Sequence, residues 1–400
     1  MYLTKEEEGT LRGEEGIAKA KALRVLVKVG EALGAERLVD VSWVHISGVS
    51  YKNIGEPGLR FIEELHGEGG RFSVKTTLNP VAMDLSLWRE MGVPEGFALR
   101  QLRLVKLLRE MGAHPTFSCI PYLWRRLREG EHVAWGESNA VLYANSVAGA
   151  LTNREASVLT LMEALTGKAP LVGLRVKENR RPTIVVGFDE AVVERARAGI
   201  YPYSLLGYCL GGIVIKGVPY LRGFRVPEGE LKNFLAGVGA SSSIGLVIIE
   251  GVSPDSRRVK GGDLNGLERV TIGVEEVEEA KDSLTEPGRF DAMALGCPHL
   301  SLEEVKEVYE ALKGRDVKKR LILYTSKFVS DKFKEMGKLR ALGIEVYSDT
   351  CMVVSPLGSM GINSVALDSA KAAYYLSSQG VKTYLLPRSE LLRMVSDESY

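Results

Sequence analysis

Between residues 290 and 386, short apolar runs of strand length alternate with segments of helical periodicity. Segments 290–295, 320–324, 344–347 and 382–386 read as strands. Segments 302–312, 330–342 and 363–376 read as helices. Such alternation predicts a parallel sheet covered on both faces, because each crossover needs a helix and each helix must bury a stripe. In sheets of this kind ligands bind beyond the carboxyl ends of the strands. Residues that follow these strands are therefore the first candidates for chemistry.

The rest of the chain carries the same alphabet. Ile17, Ala20, Leu23, Leu26, Val27 and Leu33 recur at helical spacing. A strand is expected at 37–41, leading to the loop Ser47-Gly48-Val49-Ser50. Another is expected at 72–77, ending at Asn79-Pro80. A middle α/β unit spans 182–252, with strands at 183–186 and 245–250 and Gly-rich turns at Gly207, Gly211, Gly212 and Gly217. A polar link, 253–258, follows. With 400 residues the chain has room for two or three domains. The divisions expected are 1–180, 181–255 and 256–400.

Several function classes are disfavoured. The net charge is +1 and no long basic block occurs, so no nucleic-acid-binding stripe is predicted. No run of about 18 apolar residues is available for a membrane span. The start, Met1-Tyr2-Leu3-Thr4-Lys5, lacks the basic and apolar regions of a signal peptide. A cytoplasmic location is expected. Four cysteines in 400 residues do not make a disulfide scaffold.

Three of those cysteines fall in loops. Cys297 follows a strand in Gly296-Cys297-Pro298-His299, Cys351 follows one in Ser348-Asp349-Thr350-Cys351, and Cys119 lies between Pro115 and Pro121. Cys209 sits in an apolar stretch and reads as core. A free cysteine is ordinarily a small buried hydrophobe, but three in loops favour a shared site. The close pairs of zinc and ferredoxin-type sites are absent, so the fold itself must gather such ligands.

Amides give a second signal. The chain has two Gln and nine Asn, a scarcity that leans toward a heat-adapted source. Five of the nine Asn fall at Asn79, Asn139, Asn145, Asn153 and Asn363. In segment 136–155, read as a helix, Ser138, Asn145 and Thr152 share one row, and Asn139, Ser146 and Asn153 the next. A solvated face normally carries Lys and Glu. Short amides and hydroxyls suit hydrogen bonding to a polar ligand, or else caps and turns. The loop Ser47-Gly48-Val49-Ser50 can offer N–H groups to an anion, and Asn79-Pro80 closes a strand. Lys371 and Arg154 are candidate anion contacts. His45 and His299 are candidate proton carriers. No phosphate-loop or dinucleotide-binding signature occurs.

Gly136-Glu137-Ser138-Asn139-Ala140-Val141 with Asn145-Ser146, Gly296-Cys297-Pro298-His299, Asp349-Thr350-Cys351 and Thr76-Thr77-Leu78-Asn79-Pro80 together resemble the signatures of the aconitase X family. The likeness covers nearly the whole chain from Leu3 onward. It implies an α/β fold like the first three domains of aconitase: several three-layer units with mostly parallel sheets around a central cleft. The swivelling fourth domain would be a separate small subunit, since the chain reaches Tyr400 without room for it.

The resemblance further implies an iron–sulfur hydro-lyase acting on a phosphorylated hydroxy acid. Stand-alone archaeal members convert (R)-5-phosphomevalonate to trans-anhydromevalonate 5-phosphate, on an archaeal mevalonate route to isoprenoids. Bacterial members, usually fused, act on cis-3-hydroxy-L-proline, which is the alternative substrate. Cys119, Cys297 and Cys351 would hold a 4Fe–4S cluster. A 2Fe–2S cluster is the alternative, because aconitase's close cysteine pair is missing. Gly48, Val49, Ser50, Asn79, Pro80, Glu137 and Ser138 would orient the substrate, with Asn139, Asn145 and Ser146 from the amide stripe and Lys371 as an anionic contact. The catalytic base would be a serine of the small subunit. A reading of a different class is a regulatory or scaffold subunit with structural zinc.

Overall fold

The computed structural model describes residues 1–396. Three sheets built mainly from parallel strands organise the chain, one for each stretch of sequence.

The C-terminal sheet has five parallel strands in the order Glu345–Ser348, Leu321–Thr325, Ala292–Leu300, Ser364–Leu367, Lys382–Leu385. Its central strands are buried along their whole length. Sandwiching between helices explains their nearly continuous apolar sequence. The chain leaves Ala292–Leu300 toward one edge and later returns to its other side at Ser364–Leu367. That reversal is a topological switch point, and a crevice opens beyond the carboxyl ends of two such strands. Cys297 belongs to the strand at the switch.

The middle sheet runs Ile248–Ile249, Pro219–Leu221, Ile184–Phe188, Arg269–Ile272, all parallel. Its edge strand at Arg269–Ile272 lies beyond the expected division at 255, so that division falls inside the unit. The turns expected at Gly207, Gly211 and Gly212 are instead part of the helix Tyr203–Val214, and only Gly217, with φ 99°, turns the chain. The helical glycines serve close packing. A Cβ at Gly207 would meet the Phe234 carbonyl oxygen at 1.9 Å, and one at Gly237 the Ser204 oxygen at 2.0 Å. The helices Tyr203–Val214 and Leu231–Ser241 therefore touch backbone to backbone.

The N-terminal sheet has three parallel strands, Lys75–Leu78, Trp43–Ile46 and Ala134–Trp135. Helix Ile17–Ala32 buries Ala18, Leu23 and Leu26 in the core of this unit. A separate antiparallel pair joins Leu38–Asp40 to Lys168–Pro170.

Two expected helices differ. Segment 363–376 begins as the strand Ser364–Leu367 and becomes helical only at Ala370–Ser377, where the Ser369 hydroxyl caps the Ala372 N–H. Segment 330–342 splits into Lys327–Lys332 and Met336–Ala341. Phe333, extended and buried in the core between them, breaks the run.

Candidate active site

Each loop cysteine is placed by an identifiable backbone device. At Gly296 φ is 111°, and a Cβ there would lie 2.2 Å from the Tyr324 carbonyl oxygen, so only glycine lets the strand pass its neighbour and deliver Cys297. The pairing with Leu321–Thr325 shifts register between Leu295 and Leu300, which frees the intervening residues from the ladder. Asp349, with φ 63°, turns the chain before Cys351. Its main-chain oxygen accepts from the Val81 N–H at 3.0 Å, tying that turn to the N-terminal unit. Cys119 follows Ser118, whose N–H donates to the Leu78 carbonyl at 3.0 Å.

His299 holds the three loops together. Its main-chain N–H donates to Cys119 Sγ at 3.2 Å, and its ring Nε2 meets the Thr350 carbonyl at 2.8 Å. A carbonyl only accepts, so Nε2 carries the proton. Burial drives the ring's pKa down to about 4, so it is neutral.

All three thiols border one cleft of about 440 Å³, with Asn79, Glu137 and Lys371 also on its walls. Burial pushes each thiol up to about 12. Each of the three also feels the charge of another. Among the described residues, no three His, Cys, Asp or Glu gather around one point as a single metal ion requires. A cluster makes a different demand, because its thiolates bind separate irons. Buried thiols ionise only beside strong positive charge, which a cluster's irons provide. The donor set therefore fits an iron–sulfur cluster.

A chain of hydrogen bonds crosses the opposite wall. Trp43 Nε1 donates to Thr77 Oγ1 at 2.9 Å, and Thr77 Oγ1 meets His45 Nδ1 at 2.8 Å. His45 Nε2 lies 3.3 Å from Asn79 Oδ1, and Asn79 Nδ2 donates to Glu137 Oε2 at 2.9 Å. This direction makes Nε2 the protonated nitrogen of a neutral His45, whose pKa burial lowers to about 4. Both histidines are thus buried and neutral, and each commits its Nε2–H to a hydrogen bond, while His299 Nδ1 has no partner among the described residues. Lys371 Nζ pairs with Glu137 Oε1 and donates to Ser138 Oγ at 3.3 Å. Burial alone would raise the Glu137 carboxyl, but Lys371 outweighs it, with help from Asn79, and holds it at about 2. Burial disfavours the Lys371 ammonium, yet Glu137 keeps its pKa above the usual lysine value.

The structure brings six of the eleven expected substrate residues to the cleft. Gly48, Asn79, Pro80, Glu137, Ser138 and Lys371 border the cleft. The side chain of Val49 is core, and its carbonyl accepts from Gln101 Nε2 at 3.1 Å. Ser50 is buried with its hydroxyl unpartnered. Among the described residues, no hydrogen bond engages the N–H groups of Gly48, Val49 or Ser50, and of the three only Gly48 borders the cleft. Asn139 is buried and donates to the Cys119 carbonyl and to Tyr122 Oη, both at 3.2 Å, so it holds the cysteine loop.

Asn145 and Ser146 are corrections. Asn145 is saturated by Thr152, Gly245 and Arg180, and Ser146 Oγ accepts from the Val247 N–H at 2.9 Å. The helix is only Ser138–Ser146, so Thr152 and Asn153 leave the expected rows. These polar groups serve the backbone beyond the helix end.

Asn53, Ser157, Tyr375 and Gln379 also border the cleft and went unread in the sequence. Two had a signal. Tyr375 stands four residues after Lys371, one helical turn on. Gln379 is one of only two glutamines, and the other, Gln101, accepts from the Tyr51 and Ala82 N–H groups to join the two substrate loops. The scarcity argument used for Asn applied to Gln with more force.

Models of the aconitase X first, second and third domains match residues 1–178, 182–282 and 290–396. The chain belongs to the aconitase X family. It is 40% identical over 386 residues to the phosphomevalonate dehydratase large subunit of Methanocaldococcus jannaschii, covering 94% of this chain and 96% of that one. Identity to the large subunit of the same name from Methanothermobacter thermautotrophicus is 39%, covering 94% of each. A cis-3-hydroxy-L-proline dehydratase of Pseudomonas aeruginosa is 34% identical, with 92% of this chain spanning 65% of that protein. The crystal structure of Thermococcus kodakaraensis aconitase X in its holo-form superposes with a TM-score of 0.89 at 34% identity, covering 99% of this chain and 100% of that one. The aconitase-like architecture expected from the sequence is thus the fold of this chain.

Proposed function

We propose that this chain is the large subunit of an iron–sulfur hydro-lyase that removes water from (R)-5-phosphomevalonate to give trans-anhydromevalonate 5-phosphate. The observation that carries the reading is the cleft itself. Three thiols from two units face a buried Glu137–Lys371 pair in one cavity, in a chain whose relatives are named for this dehydration.

Cys119, Cys297 and Cys351 would hold a 4Fe–4S cluster, with 2Fe–2S as the alternative. When bound, the cluster supplies Lewis acidity for the departure of hydroxide, a poor leaving group at neutral pH. The chain's own groups bind and orient. Glu137, which the Lys371 ammonium holds well below the usual carboxylate range, accepts from a substrate hydroxyl. Ser138 and the main chain of the 48–50 loop, which reaches the cleft at Gly48, donate to substrate oxygens. Lys371 keeps Glu137 charged and fixes its rotamer. Such fixing matters because a misplaced reacting group forfeits much of the entropic gain of binding. Both buried histidines have their pKa lowered to about 4 by burial, and the base that takes the substrate proton would come from a small subunit, as a serine.

The test is to co-express the chain with its small subunit, purify the complex without oxygen and follow 5-phosphomevalonate by NMR. Loss of water by the complex, and none by the large chain alone, is the expected result. An iron-loaded complex that leaves 5-phosphomevalonate intact but dehydrates cis-3-hydroxy-L-proline would establish the second reading, which the relative of that name favours. A colourless, zinc-bearing complex inert to both would make the chain a scaffold.

A further inference from the structure

Arg154 stands in the wall of the cleft, half-buried. Its guanidinium donates to three main-chain carbonyls at and just past the end of the helix Leu231–Ser241: Gly239 at 3.1 Å, Ile244 at 3.5 Å, and Ser242. Among the described residues, no carboxylate contacts it, and the charge of Glu137 reaches it only at a distance. Every other buried or half-buried arginine among them has a carboxylate partner. Arg125 pairs with Glu131, Arg175 with Glu155 and Glu163, Arg180 with Asp255, Arg195 with Glu278, Arg320 with Glu345, and Arg388 with Glu304 and Asp368.

The exception stands in the wall of the cleft, where a ligand can supply the missing charge. Carbonyl dipoles at a helix C-terminus orient a cation but do not neutralise it. The acid of the cleft, Glu137, is already matched by Lys371. The guanidinium is therefore left without a directly bonded acid among the cleft's described side chains. A guanidinium has five N–H donors, and the three carbonyls engage only its two Nη nitrogens, so Nε–H remains for another acceptor. A cation taken from bulk water without a counterion is costly unless something binds it. The carbonyl anchors also fix the fork before any ligand arrives, which lowers the ordering cost of binding.

We propose that Arg154 is the counterion for an anionic oxygen group of the substrate, a phosphate or a carboxylate, and so sets specificity for a doubly anionic substrate. The inference rests on reading the cleft as the dehydratase site. It assigns to Arg154 a contact separate from the Glu137–Lys371 pair.

The test uses the complex of the full chain with its small subunit, and R154Q and R154K variants of it. Wild-type turnover of 5-phosphomevalonate is established first. R154Q is then expected to raise KM about tenfold to a hundredfold, the range for losing a charged hydrogen bond, with a smaller change in kcat. R154K, which keeps the charge but loses the fork, is expected to recover part of the loss. Inorganic phosphate and acetate are titrated calorimetrically into each complex. Phosphate binding that R154Q abolishes assigns the phosphate end, and acetate binding that R154Q abolishes assigns the carboxylate end. Unchanged KM and unchanged binding of both anions, with only a lower melting temperature in R154Q, would make Arg154 a helix cap and overturn the proposal. Should the wild type turn nothing over, the dehydratase reading fails, and the two anion titrations still decide whether Arg154 binds an anion.

Discussion

Replacing Lys371 by Met isolates the ion pair at the centre of the cleft. The side chains of Lys371 and Glu137 are 10% and 13% exposed, so solvent screens them little. In the fold the Glu137 carboxyl is held at about 2 against its ordinary 4.5. By linkage that difference corresponds to about 3 kcal/mol of stability, present above pH 4.5 and lost as pH falls toward 2. Removing one partner of a buried pair costs about 3–5 kcal/mol in other proteins, which agrees.

The K371M variant reverses the sign. Burial becomes the dominant influence, and the carboxyl's folded pKa rises above its unfolded value. Stability from this group is then gained, not lost, as pH falls. Between pH 8 and 5 the wild-type group contributes no slope, because about 2 and 4.5 both lie below that window. The cost of K371M, read from urea midpoints, should be about 3 kcal/mol at pH 8 and shrink toward pH 5. The double variant E137Q/K371M, which leaves no unpaired charge, should recover part of it. A pH-independent cost, or no recovery in the double variant, would refute the argument that the pair is held together electrostatically.

Two further outcomes test the cysteine loops. C297S should abolish both turnover and visible cluster absorbance while leaving the chain folded, whereas C209S, whose thiol lies in the helix core against the Glu276 carbonyl, should be nearly silent. Absorbance and iron analysis of the two purified variants decide, and cluster loss in C209S would mean the wrong triad. N139A removes the donor to the Cys119 carbonyl and should cost about 1–3 kcal/mol, seen as a lower melting temperature and faster cluster loss in air. Unchanged cluster lifetime would deny Asn139 its part in holding the loop.

The sequence exposed four of the five strands of the C-terminal sheet because they read as short strand-like runs between helical segments, the pattern that burial on both faces demands. It exposed the thiols because strand-end loops are where such sheets place ligands. What failed had physical causes. Segment 363–376 hid a strand because Ser364-Val365-Ala366-Leu367 runs without a break into helix-forming alanines. The glycines of Tyr203–Val214 read as turns because close helix packing and turning both select glycine, and sequence alone does not separate them. Asn145 and Ser146 looked like ligand groups because a polar residue that satisfies buried backbone has the same composition signal as one that faces a substrate. His45 and His299 are the same case. Their imidazoles orient Asn79 and the cysteine loops, and no local pattern distinguishes that work from proton transfer.

The hydrogen bonds that shape the cleft are also the bonds that join the N-terminal and C-terminal units. The Val81 N–H reaches the Asp349 carbonyl at 3.0 Å, the Ser348 N–H reaches Asp84 Oδ2 at 2.7 Å, and Lys52 Nζ reaches the Val353 and Ser355 carbonyls, each at 3.2 Å. The His299 N–H to Cys119 Sγ contact and the Glu137–Lys371 pair cross the same seam. Site geometry and inter-unit docking are therefore one property. A group ligated by Cys119 on one side and by Cys297 and Cys351 on the other adds a further cross-link at that seam. Its binding free energy then counts as docking free energy, as for any ligand that binds only the assembled state. The seam, rather than a local motif, brings these three cysteines, so distant in sequence, to one cleft.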